Sequence, residues 1–505
     1  MKVVYLSPEV APFSKTGGLA DVSGALPQSL KKLGAEVIVI TPFYGNVKAD
    51  KHPLEKTDIQ FEVKIGDRVN TGGVYKGFLP DTHVPVYFLE SERYFDRMGL
   101  YNYPGTTNDF PDNSERFIFF ARGALEVIEQ LKVHPDVVHC NDWQTGLVPV
   151  YLKTAYAGKA CFRNTKSLQT LHNLVYQGRF GKSDMDLTGL DRSLFNWKQL
   201  EFYGQLNFLK GGIVFSDAIS TVSKTYAEEI QTMECGDGLQ GVLHERSKDL
   251  YGILNGIDYT IWNPETDKYI IANYGIKKLG GKQLCKKSLQ RTYKLPERDV
   301  PVVGMVTRLA KQKGLDLIIA KFHDFMKLDI QFVLLGSGDT MYHEIFQGFA
   351  KVFPEKVAVK LTFDEPSAHE IEAGADVFLM PSHYEPCGLN QLYSLKYGTV
   401  PIVRSTGGLA DTIIDVRSEP VDGGRVNGFL FKEYSADLLF ATLVRAIDLF
   451  RKKDPWQRLM KNGMAQDWSW ERSAKEYVTL YKKITRYGDT ATNVSFLKNN
   501  PGGVK

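Results

Sequence analysis

One hexapeptide occurs twice in opposite halves of the 505-residue sequence, as Thr16-Gly17-Gly18-Leu19-Ala20-Asp21 and as Thr406-Gly407-Gly408-Leu409-Ala410-Asp411. Each copy follows a predicted strand and opens a helical pattern. A Gly-Gly turn into a helix lets backbone approach a ligand closely and aims unpaired N–H groups at it, which suits phosphate or another polarised oxygen. Lys15 adds a cation to the first copy. A tight strand-to-helix turn would explain one such pair on its own, and the repetition favours the ligand reading. A second cluster, Thr307-Arg308-Leu309-Ala310-Lys311-Gln312-Lys313-Gly314, comes directly after the predicted strand 302–306. Ligands of open α/β sheets bind outside the carboxyl ends of the strands, so this basic loop stands where a phosphate is held. Arg308 offers a fork of donors and Lys313 a point charge; the plainer alternative is a solvated basic loop. A third cluster runs from Pro381 through Glu385-Pro386-Cys387-Gly388 to Gln391. It sets a carboxylate just before a predicted helix start, mixing an acceptor with backbone donors, although a Glu before Pro is commonly a plain turn residue.

These loops need parallel strands behind them. Short apolar runs rich in β-branched residues alternate with longer helical patterns, the signature of βαβ units. Strands are expected at 3–7, 36–41, 84–89, 137–140, 167–171 and 218–222, and again at 302–306, 331–335, 357–361, 377–380 and 401–404. The series restarts near residue 300, so the fold class is α/β with two Rossmann-like halves and a cleft between them. The expected division is 1–255, 256–465, a helix at 466–487 packing back, and a frayed tail at 488–505.

Length alone favours two domains, because single cores stop growing well below 505 residues. A net charge of +3 is too small to imply nucleic acid or a membrane surface as partner. Five cysteines without a Cys-x-x-Cys pair indicate neither a disulfide framework nor a zinc ribbon, and no signal-peptide pattern follows Met1. A cytoplasmic protein is expected. Asp184-Met185-Asp186 imitates a metal-binding pair but lies in a polar loop, and Gly336-Ser337-Gly338 lacks the third glycine of a dinucleotide fingerprint, Met341 standing there. No metal and no cofactor are expected.

Taken in order, Lys15 to Asp21, Asp112 to Phe117, His139 to Trp143, Thr170 to Asn173, Leu254 to Asp258, Arg308 to Gly314, Glu385 to Gly388 and Ser405 to Asp411 resemble the glycogen and starch synthase family. These are retaining glucosyltransferases of the GT-B fold, and the resemblance covers nearly the whole chain. It implies transfer of glucose from ADP-glucose or UDP-glucose to the non-reducing end of an α-1,4-glucan. It also implies that Lys15 with Gly17 and Gly18 approaches the diphosphate and glucose, and that Arg308 and Lys313 bind the phosphates. Glu385 would hold glucose hydroxyls, aided by backbone at Cys387 and Gly388. His172 would lie beside the anomeric carbon, and Asp142 with Trp143 would line the glucose and acceptor end. Asp21, Asn173, Asn255 and the second-copy residues Thr406, Gly407 and Gly408 are the further substrate-binding candidates. Phe363 falls where relatives often have a Tyr against the base.

Asn141 stands where bacterial relatives commonly have His, and Asn390 where they commonly have Thr. Tyr94, Phe95, Tyr101 and Tyr103 are candidate rings for the acceptor glucan, or else the anchors of a loop. For His172 and Trp143 the plainer alternatives are a pocket-edge imidazole and a packed interior ring. The competing functions are a related transferase with a small acceptor, of the sucrose or trehalose type, and a silent glucan-binding subunit. Intact Lys15, His172, Arg308, Lys313 and Glu385 speak against the silent subunit.

Overall fold

The computed structural model describes residues 1–49, 52–106 and 108–486. Its contacts divide the chain into two units. The first takes Met1–Ser220, Gly241–Tyr251 and the stretch from Ala474, and the second takes Thr221–Gln240 and Gly252–Ser473. Against the expected boundary at 255/256, this division moves 221–240 and 252–255 into the second unit. The tail expected at 488–505 lies outside the described residues. No helix among them is long and apolar enough to cross a membrane.

The sheet of the first unit holds nine strands. Their order is Leu250–Gly252, Ala218–Thr221, Lys166–Leu171, Val137–Asn141, Lys2–Leu6, Glu36–Pro42, Pro85–Glu90, Arg68–Phe78 and Glu55–Ile65. Strands 166–171, 137–141, 2–6, 36–42 and 85–90 pair in parallel. Val3 to Leu6 and Val137 to Asn141 are buried along their whole length, as expected of strands covered on both faces. The last three strands in this order pair antiparallel. The hairpin Glu55–Ile65 and Arg68–Phe78 escaped the sequence reading because one of its faces is wet and its strands carry Lys, Glu and Arg at alternate positions.

The second unit has six parallel strands in the order Val357–Lys360, Gln331–Leu335, Val302–Val306, Val377–Met380, Val400–Arg404 and Phe429–Phe431. Numbered within their own unit these strands run 3-2-1-4-5-6, the doubly wound order, and the parallel part of the first sheet follows the same rule. The order reverses between 302–306 and 377–380 in the second unit, and between 2–6 and 137–141 in the first. Ligands of such sheets bind outside the carboxyl ends of the strands at that reversal. The loops leaving those four strands begin at Thr307, Pro381, Ser7 and Asp142, and they carry most of the candidate residues.

The helix Trp470–Arg486 packs back on the first unit through its later turns. Tyr477 and Tyr481 are fully buried there. The Tyr481 hydroxyl lies 2.7 Å from His139 Nδ1, and His139 Nε2 lies 2.6 Å from the Thr170 hydroxyl.

Candidate active site

In the first unit the loop after strand 2–6 is organised by Glu9, a residue the sequence reading missed. Glu9 is 3% exposed. Its carboxylate accepts from the Thr16 N–H and hydroxyl, both at 2.6 Å, from the Gly17 N–H at 3.3 Å and from the Tyr101 hydroxyl at 2.8 Å. A buried carboxylate needs this much compensation. The signal for it was a lone acid inside the apolar run from Val3 to Phe13. With Thr16 and Gly17 held from behind, the outer faces of Gly17 and Gly18 are open, with no atom within 4 Å of where a side chain would start. Lys15 is 48% exposed and paired with Asp21 at 2.6 Å. Such a surface pair contributes at most about 1 kcal/mol, so it does not commit the Lys15 ammonium to Asp21.

Asp142 leaves strand 137–141 with φ 56° and ψ −171°, a conformation nearly confined to glycine. Hydrogen bonds from its backbone and its side chain hold it there. Its N–H donates to the Thr170 carbonyl at 2.9 Å, and its carbonyl accepts from Gln169 at 3.0 Å. Its carboxylate accepts from the backbone N–H groups of His172, at 2.7 Å, and of Asn173. Burial still pushes the Asp142 carboxyl up to about 7. Asn141 donates through Nδ2 to the Leu6 carbonyl, so its Oδ1 accepts both the Tyr5 hydroxyl at 3.1 Å and His172 Nε2 at 2.9 Å. His172 therefore carries its proton on Nε2, which leaves Nδ1 as an acceptor.

Burial pushes the His172 imidazole down to about 3, and His139 also falls well below the usual range. A base depressed by folding binds fewer protons folded than unfolded, so stability rises with pH across that interval. The contribution of His172 is complete above its unfolded value near 6.5 and is lost as pH falls toward about 3. His172→Gln is expected to flatten the acid side of a stability curve measured by urea unfolding. An unchanged slope would show that the imidazole is not buried neutral.

Three acceptor candidates are part of the core. Trp143 is 8% exposed and packs among Tyr101, Phe117, Phe180 and Phe208. Tyr94 and Phe95 are fully buried, while Tyr103 is half-exposed. Aromatic density marked an anchored loop here, with the fully buried Arg116 bonding the carbonyls of Tyr94 and Leu100. The decoy Asp186 pairs with Arg192 on an exposed turn.

In the second unit Arg308 is exposed and makes no side-chain hydrogen bond or ion pair with a described residue. Lys313 Nζ pairs with Glu385 Oε2 at 2.6 Å, and the Ser382 hydroxyl donates to the same oxygen at 2.9 Å. Glu385 Oε1 has no partner among the described residues. Gln391 closes the turn after Glu385 by donating to the carbonyls of Cys387 and Gly388. The helix Asn390–Tyr397 that follows has no side-chain cap, and its Leu392 N–H donates to the Leu389 carbonyl at 2.9 Å. Asn390 is bound to the Val306 carbonyl at 2.7 Å, tying this helix to the strand that leads to Arg308. Burial pushes the Cys387 thiol up to about 12, which keeps it neutral beside the backbone N–H of Asn255. Asn255 is 7% exposed, and its Oδ1 has no partner among the described residues. Phe363 is 84% exposed, with no ring against it among the described residues. Gly336 and Gly338 serve packing, since side chains there would strike the carbonyls of Thr307 and Leu309.

The second copy of the hexapeptide differs from the first. The Gly407 N–H and the Thr406 hydroxyl are taken by Glu229, and the Gly408 N–H by the carbonyls of Glu385 and Pro386. All three residues are buried. Their donors are spent inside the protein, so Thr406, Gly407 and Gly408 support the Glu385 loop from behind.

Residues 2–245 match the starch synthase catalytic domain family, and residues 287–462 match the glycosyl transferases group 1 family. The chain is 49% identical to a glycogen synthase of Thermosipho africanus over 489 residues, covering 96% of this chain and 99% of the relative. It is 47% identical to a glycogen synthase of Syntrophotalea carbinolica, with the same coverage. The catalytic domain of starch synthase IV from Arabidopsis thaliana, solved with ADP and acarbose, superposes with a TM-score of 0.87 at 35% identity, over 96% of this chain and 99% of that one. A sucrose-phosphate synthase from Thermosynechococcus elongatus, 18% identical with a TM-score of 0.58 over the same shares, shares the fold alone. With two doubly wound units of GT-B type and full-length likeness to these enzymes, the chain is a glycosyltransferase that belongs to the glycogen and starch synthase family.

Proposed function

We propose that this enzyme transfers glucose from ADP-glucose to the non-reducing end of an α-1,4-glucan, with retention of configuration. The observation that carries the reading is the pair of acceptor and cation sets at the strand-order reversals: Glu385 with Lys313 and Arg308 in one unit, Lys15 beside an open Gly17-Gly18 turn in the other. Arg308, Lys313 and Lys15 take the diphosphate, and the uncapped N-terminus of helix Asn390–Tyr397 adds backbone donors. Glu385 Oε1 accepts glucose hydroxyls, and His172 Nδ1 accepts another. The exposed Phe363 ring gives a purine a face to stack on, which favours adenine over uracil. Relatives named glycogen synthase, and a starch synthase structure holding ADP and acarbose, support the same assignment. Five free cysteines fit a reducing, cytoplasmic setting.

In the reaction the bond from the anomeric carbon to the diphosphate oxygen breaks. The acceptor 4-hydroxyl oxygen bonds that carbon on the face the diphosphate leaves, and its proton passes to the departing phosphate oxygen. The cation sets stabilise the charge that gathers on the diphosphate.

The test is release of nucleoside diphosphate from ADP-glucose and UDP-glucose, each with and without glycogen. Release should require the glucan, and kcat/KM should be higher with ADP-glucose. Higher kcat/KM with UDP-glucose would overturn the donor assignment, and transfer to a small sugar phosphate in preference to glycogen would overturn the acceptor.

A further inference from the structure

We infer that Glu229 is a positioning residue for the loop that carries Glu385, an inference resting on the role proposed for Glu385. Glu229 ends the short helix Lys224–Glu229. Its carboxylate accepts from the Thr406 hydroxyl at 2.9 Å and, through both oxygens, from the Gly407 N–H at 3.1 Å. The next N–H, that of Gly408, donates at 3.1 Å to the carbonyls of Glu385 and Pro386. Neither glycine can carry a side chain, because one at Gly407 would strike the Glu385 carbonyl and one at Gly408 the Cys387 carbonyl. The turn that Glu229 pins is therefore the wall against which the backbone of residues 385–387 rests. Ser223, just before the same helix, reaches that backbone directly, its hydroxyl donating to the Pro386 carbonyl at 2.6 Å.

The support is reciprocal. Asp411, near the end of helix Gly407–Thr412, accepts from the Lys224 N–H at 2.6 Å, the Thr225 N–H at 3.1 Å and the Thr225 hydroxyl at 2.6 Å. Each helix thus supplies the carboxylate that satisfies the other's unpaired N–H groups and meets its dipole. Helices of six residues do not hold by themselves. Losing Glu229 releases both helices and, with them, the backbone on which Glu385 is aimed. A misplacement on the order of 1 Å at a reacting group costs about a hundredfold in rate, and a loosened loop costs part of that.

Steady-state kinetics of Glu229→Ala, Glu385→Gln and the double variant test this. Glu229→Ala should lower kcat by about tenfold or more while donor KM moves less than about threefold. Glu229→Gln, whose amide oxygen can still accept from Gly407, should recover most of the rate. In the Glu385→Gln background Glu229→Ala should cost less than about twofold further, since residues acting as one unit are not additive. Wild-type kcat in Glu229→Ala, or losses that multiply in full while Glu385→Gln is itself impaired, would overturn the inference. Wild-type kcat in Glu385→Gln would instead sink the role given to Glu385. If Glu229→Ala does not fold, the same cycle with Glu229→Asp, which keeps the charge but draws it back by one methylene, decides in the same way.

Discussion

Replacing Lys15, Arg308 or Lys313 by alanine is expected to lower kcat by roughly a hundredfold or more, the scale of one lost preorganised donor to a developing anion. The diphosphate leaves with more negative charge than it carries while bonded to glucose. A cation aimed at it therefore binds the transition state better than the ground state, and that difference is what raises kcat. The three should differ in what else they disturb. Arg308 is exposed and its side chain has no partner among the described residues, so its loss costs no stability and reads out in kinetics alone. Among the described residues Lys15 is paired with the half-exposed Asp21, and its loss should also leave thermal stability nearly unchanged. Lys313 is the mostly buried partner of Glu385, so Lys313→Ala strands a carboxylate and should cost about 3 kcal/mol of stability besides the rate. Calorimetric melting beside initial rates separates the three. Wild-type kcat in any one of them would remove that residue from the phosphate-binding set.

Most strands of the parallel sheets were legible because they are buried on both faces and so read as unbroken apolar runs; the three-residue strand 429–431 was not. The strands 302–306, 331–335 and 377–380 fall where their sequence put them. The hairpin 55–78 was not legible, since a wet, charged strand face gives the same composition as a loop. The loops at the sheet reversals were legible from residue type and from their place after a strand. What filled them was not. Thr-Gly-Gly-Leu-Ala-Asp is the same six residues twice, and in both places a glutamate bonds its Thr hydroxyl and first Gly N–H, Glu9 in one unit and Glu229 in the other. The first copy keeps an open face and the second is packed against residues 385–387. That difference comes from segments distant in sequence, and no local pattern encodes it. Trp143 illustrates the converse case. A ring in a ligand-rich motif suggested contact with sugar, yet the rings that bury it come from residues 101, 117, 180 and 208.

Glu385→Gln is expected to lower kcat by at least a hundredfold without weakening ADP. In the free enzyme Lys313 is neutralised by Glu385 at 2.6 Å, with both side chains largely buried. With Lys313 in the proposed phosphate-binding set, ADP draws that ammonium from its carboxylate, and a buried pair is costly to separate because each charge is left under-solvated. Gln keeps the shape and can still accept from Ser382, but it carries no charge to compete with phosphate for Lys313. Free ADP should therefore bind as well as before or tighter. Transfer should fail for a separate reason. As positive charge grows at the anomeric carbon, the carboxylate stabilises it electrostatically and holds the sugar hydroxyls as their acceptor, and a neutral amide does the first not at all. Lys313→Ala shows the opposite signature, with weaker ADP and an unpaired carboxylate facing the phosphates. Titration calorimetry of ADP against both variants, beside their kcat values, reads the two effects apart. If Glu385→Gln weakens ADP as much as Lys313→Ala does, the carboxylate belongs to the phosphate site rather than to the sugar, and the division of labour between these two side chains is wrong.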